Sequence, residues 1–454
     1  MSFLEQLRGA LPDGAVITDP DLLQSYRRDE TALVAAGTPA VVVLPRETAQ
    51  VQLVLQIASA AGVPVVTQGA RSGLAGGANA IDGAIVLSML RMDRIIEVNT
   101  TDRLAVVEPG VTNAALSRAA AERGLFYPPD PASWEFSTIG GNIATNAGGL
   151  CCVKYGVTVE YVLGLEVVLA SGEILKTGRR TVKGVAGYDL TKLMVGSEGT
   201  LGVITQATLA LRPAAEPALT LAAVFPSTAA AGAAVTAIVA SGAVPSLLEL
   251  VDRVHLQAVE AYQPMGLDTT AAALLLAQCD TGPRAAADLA ALAALCEVAG
   301  ATEVVEASDA SESTMLLAAR RMAYPAMERL GAVIVDDVAV PRSRLAELLD
   351  GVERIGNDCE LIVGVIGHAG DGNMHPNIVV PHGDKAALER GRRAFDAIMA
   401  LGLDLGGTVS GEHGVGLLKR DWLEVELGPV AVRVSKAVRD AFDPHRILNP
   451  DKVI

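Results

Sequence analysis

Val66-Thr67-Gln68-Gly69-Ala70-Arg71-Ser72-Gly73-Leu74-Ala75-Gly76-Gly77 leaves directly from a short apolar run at residues 63–67 that reads as a strand. Its glycines let backbone N–H groups turn inward and approach an anion without a Cβ in the way, as a phosphate-cradling loop requires. No Lys-Ser/Thr pair follows, so it is not a Walker loop, and no helix clearly starts at its end, so it fits GxGxxG poorly. Taken alone, it reads equally well as a plain turn between strands.

Two further segments repeat this character. Pro129-Asp130-Pro131-Ala132-Ser133-Trp134-Glu135-Phe136-Ser137-Thr138-Ile139-Gly140-Gly141-Asn142, continued by Asn146-Ala147-Gly148-Gly149, alternates hydroxyls, amides and free N–H groups at a density that suits the ribityl and pyrophosphate parts of a dinucleotide. The whole stretch 128–149 has little periodicity and reads as a long functional loop. The third segment runs from Gly187-Tyr188-Asp189-Leu190 to Gly196-Ser197-Glu198-Gly199-Thr200-Leu201-Gly202-Val203-Ile204.

Around these loops, strands are expected at 41–44, 63–67, 84–88, 95–98, 104–108 and 201–211, with a hairpin across Ser171-Gly172. Helices are expected at 48–61, stopped by Gly62, and at 112–123, stopped by Gly124. The Pro/Ala/Glu stretch 213–217 is the best boundary. Beyond it, strands at 219–225, 247–251, 273–278, 302–306, 333–340 and 361–365 alternate with helices, which implies an α+β domain with an antiparallel sheet covered by helices. Helices dominate after Lys385, and 442–451 reads as an irregular tail.

A chain of 454 residues exceeds one ordinary core, so two or three domains are expected. The net charge of −16 argues against nucleic acid or an anionic membrane surface as the main partner. No secretory signal is visible, and the most apolar run, 229–251, is interrupted by Gly232, Ser241, Gly242 and Pro245, which argues against a transmembrane segment. Five cysteines form no CxxC pair, so reduced thiols and a cytoplasmic location are expected. Any electrons must leave through something other than a built-in iron–sulfur cluster or attached haem.

Three of the six histidines fall in two short stretches, His368-Ala369-Gly370-Asp371-Gly372-Asn373-Met374-His375 and Ser410-Gly411-Glu412-His413-Gly414. Two imidazoles and a carboxylate form a metal-binding set that leaves positions open for a substrate oxygen. Glu412 and His413 are adjacent, so one can ligate while the other accepts a proton. The competing reading is that glycine-rich turns merely gather the imidazoles, each capping a helix or satisfying buried carbonyls. A metal-dependent hydrolase, with Glu412 activating water and the loops holding a phosphorylated ligand, also suits these residues.

The three glycine segments, the HxGDGNxH and SGEHG motifs and the closing Leu448-Asn449-Pro450-Asp451-Lys452, in this order over residues 38–454, resemble the FAD-linked oxidases of the vanillyl-alcohol-oxidase/PCMH superfamily. The branch most similar holds glycolate oxidase FAD-linked subunits, D-lactate dehydrogenases and D-2-hydroxyglutarate dehydrogenases. The resemblance implies an α+β fold: an N-terminal helical segment (1–35), a PCMH-type FAD-binding domain of two α+β subdomains (36–215), and an α+β cap with an antiparallel sheet (216–405). A C-terminal, partly helical segment (406–454) then returns to the FAD domain. It assigns FAD to Gln68, Gly69, Arg71, Ser72, Gly73, Gly76 and Gly77, then to Pro129, Asp130, Thr138, Gly141, Asn142 and Gly148. Glu198, Gly199, Gly202 and Ile204 fall on the adenine side. The first loop holds no histidine, so FAD is expected to be noncovalent, with Cys151 and Cys152 small buried structural residues.

By the same resemblance His368, His375 and Glu412 ligate a divalent metal, Zn²⁺ or Mn²⁺. His413 is the base, Asn377 touches substrate, and Arg320 holds the C1 carboxylate while Arg321 faces solvent. Asp371 and Asn373 shape the turn. The hydroxyglutarate branch carries Thr and Lys where this chain has Tyr324 and Val335, and those groups hold a distal carboxylate. A short monocarboxylate, glycolate or D-lactate, is therefore expected, with electrons passing to a quinone, a cytochrome or an iron–sulfur partner subunit. D-2-hydroxyglutarate oxidation and the non-redox chemistry of the related ether-lipid alkyl transferase are the alternatives. The protein is expected as a homodimer or a subunit of a glycolate oxidase complex, cytoplasmic or peripheral at the inner membrane face. His255 and His382 are expected at the surface, and His445 near the flavin.

Overall fold

The computed structural model describes residues 1–31 and 33–454. The chain forms two compact units, one of Met1–Gly148, Val157–Ala214 and Glu412–Ile454, the other of Gly149–Gly156 and Ala215–Gly411. The fold is α+β, as the sequence implied.

In the first unit, a four-stranded sheet has the order Val16–Ile17, Val41–Val43, Ile85–Ser88, Val65–Gln68, and its last three strands are parallel. Parallel neighbours need a crossover, supplied here by the helix Thr48–Ala61, which stops where Gly62 adopts φ 62°. Val41, Val42 and Val43 are all fully buried, which explains an unbroken apolar run in place of alternation. Residues 1–35 are not a separate helical segment. Val16 and Ile17 pair with Val43 and Val42, and Leu7 and Leu11 belong to the same core.

The second sheet of this unit is antiparallel, in the order Ile95–Asn99, Leu104–Val107, Val203–Ala210, Val162–Val168, Ile174–Gly178. Strand Val203–Ala210 alternates buried and half-buried positions, so one face is covered. The stretch 128–149 is not wholly irregular, because a helix, Ile139–Thr145, forms inside it. Thr138 caps that helix by accepting from Gly141 N at 3.3 Å. Two glycines and a threonine hid it, having poor propensity in a segment set by tertiary contact.

The second unit is built on an eight-stranded antiparallel sheet. Its path runs Glu303–Glu306, Leu219–Phe225, Ala273–Cys279, Leu247–Asp252, Ile362–His368, Asn373–Val380, Ala332–Val335, with Val338–Ala339 also pairing Asn373–Val380. Two expectations change here. The single strand 333–340 is broken by Asp336 and Asp337, both fully buried. Asn373–Val380, where no strand was expected and Asn373 was placed in the turn, is a strand, paired so that His375 faces Ile366 and His368 faces Asn373. Thr408 still bridges to Ala339, so the chain stays in this unit to Gly411, beyond the expected boundary at 406.

Candidate functional site

Within the first unit one cavity gathers the three glycine segments. Gln68, Gly69, Arg71, Ser72, Gly73 and Gly77 line it from the first, and Thr138, Gly141, Asn142 and Gly148 from the second. The third supplies Glu198, Gly199, Gly202 and Ile204. Three residues assigned to the cofactor do not line it. Gly76 instead turns the loop at φ 78°, where an added Cβ would meet Val34 Cγ2 at 2.7 Å. Pro129 is buried and its carbonyl accepts from Asn113 Nδ2 at 2.8 Å, which anchors the second segment, and Asp130 is half-buried beside it. Pro131, Ala132 and Ser133 line the wall in their place.

Several polar atoms of this lining are buried without a hydrogen-bond partner: Thr67 Oγ1, Gln68 Oε1, Arg71 Nη1 and Asn142 Nδ2. A buried polar group left unpaired costs about 1–3 kcal/mol, so a cluster around one cavity marks groups that a polar ligand satisfies. Acceptors, donors and a guanidinium beside glycine-bared backbone fit a dinucleotide such as FAD. Arg71 is held in place over the Tyr26 ring at 4.9 Å.

The closing LNPDK motif ties this cavity's loops together. Asn449 Nδ2 donates to Gly77 O at 3.0 Å and to Glu198 O at 2.7 Å, and Lys452 Nζ donates to Gly77 O at 3.0 Å and to Asn79 O. The Glu198 carboxylate accepts from Val415 N at 2.7 Å and Gly416 N at 3.0 Å. Burial pushes Glu198 up to about 7 and Asp29, which also lines the cavity, up to about 6. Burial also pushes Lys452 down to about 7, against the pull of Asp29 and Glu198. Asp29 was not singled out from sequence, and Lys452 only as the last residue of the closing motif. We expect Lys452→Met to weaken dinucleotide retention at least about tenfold, because two loop carbonyls lose a buried donor. Flavin content after gel filtration and equilibrium titration of the apoprotein check this.

Glu412 and His413 line the same cavity, with His413 Nε2 3.7 Å from Glu412 Oε1. Glu412 packs onto Gly148, where an added Cβ would approach Oε2 to 2.5 Å, so the glycine makes room for the carboxylate. His445, expected nearby, is exposed and does not line the cavity. It sits in the turn Asp443–Arg446, where Asp443 Oδ2 accepts Leu448 N at 2.7 Å and turns the backbone inward while the ring points out.

The second unit holds the other polar constellation. The turn Ala369–Gly372 sets His368 and His375 on adjacent strands, with ring centroids 5.0 Å apart and planes at 83°. Both are buried. Beneath them Glu249, fully buried on strand Leu247–Asp252, accepts from His368 Nδ1 at 2.6 Å and from Arg320 Nε at 2.8 Å. Burial alone would raise this carboxyl, but His368 and Arg320 hold it down at about 2. Arg320 uses only Nε here, leaving its two terminal nitrogens for another acceptor; Arg321 is exposed. Glu249 was missed from sequence, although a lone acid inside Leu247-Leu248-Glu249-Leu250-Val251 was the available signal.

Asp337 Oδ1 lies 3.8 Å from His375 Nδ1 and accepts from Asn373 Nδ2 at 2.7 Å, and its other oxygen accepts from Ser410 Oγ at 3.0 Å. Asn377 is buried two residues beyond His375, and Val335 faces it in register on the neighbouring strand. Tyr324 stands one helical turn after Arg320 and is exposed. His255 is not at the surface. It is fully buried because Asp252 and Asn377 satisfy both ring nitrogens. His382 is exposed, as expected. Cys151 and Cys152 are half-buried rather than buried, at the start of the helical turn Cys152–Tyr155.

Residues 39–178 match the family described as FAD binding domain, and residues 215–453 match FAD linked oxidases, C-terminal domain. The chain belongs to the FAD-linked oxidases. This FAD-linked oxidase is 42% identical over 418 residues to the glycolate oxidase subunit GlcD of Bacillus subtilis, covering 91% of the chain and 89% of that protein. It is 33% identical to a D-lactate dehydrogenase of Anaerostipes hadrus, over 99% of the chain and 96% of that protein. Its fold is that of p-cresol methylhydroxylase crystallised with substrate, at a TM-score of 0.81 and 18% identity, covering 99% of the chain and 96% of that one. The FAD-linked oxidase has, among its described residues, no helix long and apolar enough to cross a membrane.

Proposed function

We propose that this oxidoreductase converts a short 2-hydroxy acid, glycolate or D-lactate, to the 2-oxo acid, and passes the electrons to a quinone, a cytochrome or an iron–sulfur partner subunit. The observation that carries this reading is the buried Arg320–Glu249–His368 array. Glu249 fixes Arg320 through Nε, so the guanidinium presents its terminal nitrogens as a fork for one carboxylate. With Tyr324 and Val335 where the hydroxyglutarate branch carries polar groups, a second carboxylate finds no dedicated cation there, which favours a monocarboxylate over D-2-hydroxyglutarate.

Bound FAD supplies the two-electron acceptor, and we read its attachment as noncovalent because the first loop has no histidine. His413 takes the hydroxyl proton. His368, His375 and Glu412 are the donors we assign to a divalent cation, Zn²⁺ or Mn²⁺, and the cation lowers the cost of removing that proton. The carboxylate of Glu249 supports this assignment. By accepting from His368 Nδ1 it backs the imidazole with a carboxylate, an arrangement common behind metal-ligating histidines. We place the protein in the cytoplasm or at the inner face of the membrane, as a homodimer or as a subunit of a glycolate oxidase-type complex.

The test is an anaerobic titration. Purified protein should show a flavin spectrum that glycolate or D-lactate bleaches, with L-lactate and D-2-hydroxyglutarate at least about tenfold less effective. Strongest bleaching by D-2-hydroxyglutarate would transfer the assignment to that substrate. A bound flavin bleached by none of the four would favour non-redox alkyl transfer, and a colourless protein would favour a hydrolase.

A further inference from the structure

In the first unit the edge strand Ile174–Gly178 and the helix Leu190–Met194 are joined by a loop that lines no part of the cofactor cavity. We propose that this loop, residues 179–189, docks on a membrane: Val182, Val185 and Tyr188 enter the headgroup region of a bilayer rich in anionic lipid, and the basic residues around them hold its phosphates. The proposal gives a surface to the inner-membrane placement offered above and stands apart from the identity of the substrate.

Val182, Val185 and Tyr188 are 100%, 99% and 96% exposed. Apolar side chains stabilise a fold by leaving water, so these three contribute nothing to this one. The loop has a definite form all the same. Arg179 N donates to Leu163 O at 3.0 Å, Thr181 Oγ1 to Lys183 O at 2.8 Å and Leu190 N to Tyr188 O at 2.9 Å. Gly184 lies against the Arg179 stem, where an added Cβ would fall 2.3 Å from Cδ. The three apolar side chains thus stand outward from a closed turn.

Charge says what meets them. From Lys176 to Lys192 the sequence sets Lys176, Arg179, Arg180, Lys183 and Lys192 against one acid, Asp189, in a chain whose net charge is −16. Two of the cations are answered within the sheet, Lys176 by Glu166 at 3.2 Å and Arg180 by Glu97. Arg179, Lys183 and Lys192 are exposed and make no ion pair among the described residues. The acids elsewhere in the chain act weakly at this loop, because the screening length is about 8 Å at physiological ionic strength. An anionic surface that touches the loop therefore meets its cations.

The same exposure separates lipid from protein as the occupant. Side chains this open do not lean on one another, so they form no packed patch of the kind a protein partner matches in shape. A fluid interface needs no such match. It takes up apolar groups singly, keeps a Tyr hydroxyl at headgroup level, and accepts Arg and Lys stems while their charges stay among the phosphates. From Tyr188 the chain passes through the helix Leu190–Met194 to Ser197, Glu198 and Gly199, which line the dinucleotide cavity, so the docked face belongs to the unit that carries that cavity. Of the acceptors proposed above, the quinone is the one dissolved in such a membrane.

Flavin-loaded protein should sediment with phosphatidylcholine vesicles containing about 30% phosphatidylglycerol at least about tenfold more strongly than with phosphatidylcholine alone, and about 0.5 M salt should remove the difference. The triple variant Val182→Ser, Val185→Ser, Tyr188→Ser should lower that partition at least about tenfold, and Lys183→Glu with Lys192→Glu should do so through charge. Both should keep the wild-type flavin content and visible spectrum, because none of these side chains lines the cavity. Val185→Trp reads insertion directly: its added emission should move to the blue with the mixed vesicles and be quenched by a doxyl-labelled lipid. No partition of the wild type overturns the proposal, and is the result expected of a loop that serves an acidic protein instead. Equal partition of wild type and both variants, or an emission from Val185→Trp that vesicles leave unchanged, overturns it as well. Partition is read without turnover, so a flavin that no 2-hydroxy acid bleaches leaves the docking to be decided by the vesicles alone.

Discussion

Arg320→Met should lower kcat/KM for glycolate and D-lactate by at least about 10²-fold while the flavin content stays at the wild-type level. The guanidinium is only 19% exposed in its side chain and is pinned by a fully buried carboxylate, so its terminal nitrogens are pre-oriented and little ordering remains when a carboxylate arrives. Losing that fork removes a charge-assisted pair worth about 2–5 kcal/mol, which is where the expected loss comes from. Arg320→Lys keeps the charge but has no second parallel donor, so it should recover only part of the rate. Steady-state kinetics with both acids, the visible spectrum and the thermal transition check this together. A variant with unchanged kcat/KM would remove Arg320 from substrate binding and leave it a structural partner of Glu249.

The second large effect is on stability. Glu249→Gln should destabilise the unit built on Leu247–Asp252 by about 3 kcal/mol at pH 7, and the difference from wild type should shrink as the pH falls. The folded carboxyl is held down at about 2 by His368 and Arg320 despite its burial. A depressed carboxyl contributes stability above its unfolded value, near 4.5, and loses that contribution as the pH drops through its folded value. Wild type should therefore weaken between about pH 4.5 and 2, and Glu249→Gln should not show that slope. The chain has two units, so a global midpoint mixes both. Hydrogen exchange at the amides of Leu247–Asp252 is the better readout, and equal acid slopes in both proteins would contradict the assigned pairing.

Much of the frame is legible in the amino-acid sequence. Gly62 stops its helix where the pattern placed it, and the three glycine segments line one cavity. What escaped had a physical cause in each case. Asn373–Val380 carries Asn, Met, His, Pro and Asn in succession, so no two-residue alternation survives, although every one of its positions is buried. Ile139–Thr145 is held by its Thr138 cap and its surroundings, not by propensity. Glu249 was passed over and His255 was expected at the surface because burial of a polar group depends on partners far away in sequence: His368 and Arg320 for one, Asn377 for the other. Likewise, Pro129 looked like a ligand-facing residue because it lies inside the right motif, yet its carbonyl is already committed to Asn113.

The ties made by Glu198, Asn449 and Lys452 also join stretches of chain that leave the ribosome far apart in time. The first unit is assembled from three stretches of chain, the last beginning at Glu412, and the carbonyls of Gly77 and Glu198 accept from Asn449 and Lys452. On the ribosome, nearly the whole sheet of the second unit emerges and can fold before those donors exist. A chain cut before Asn449 is therefore expected to keep every strand of the second unit while losing the donors that fasten Gly77 and Glu198.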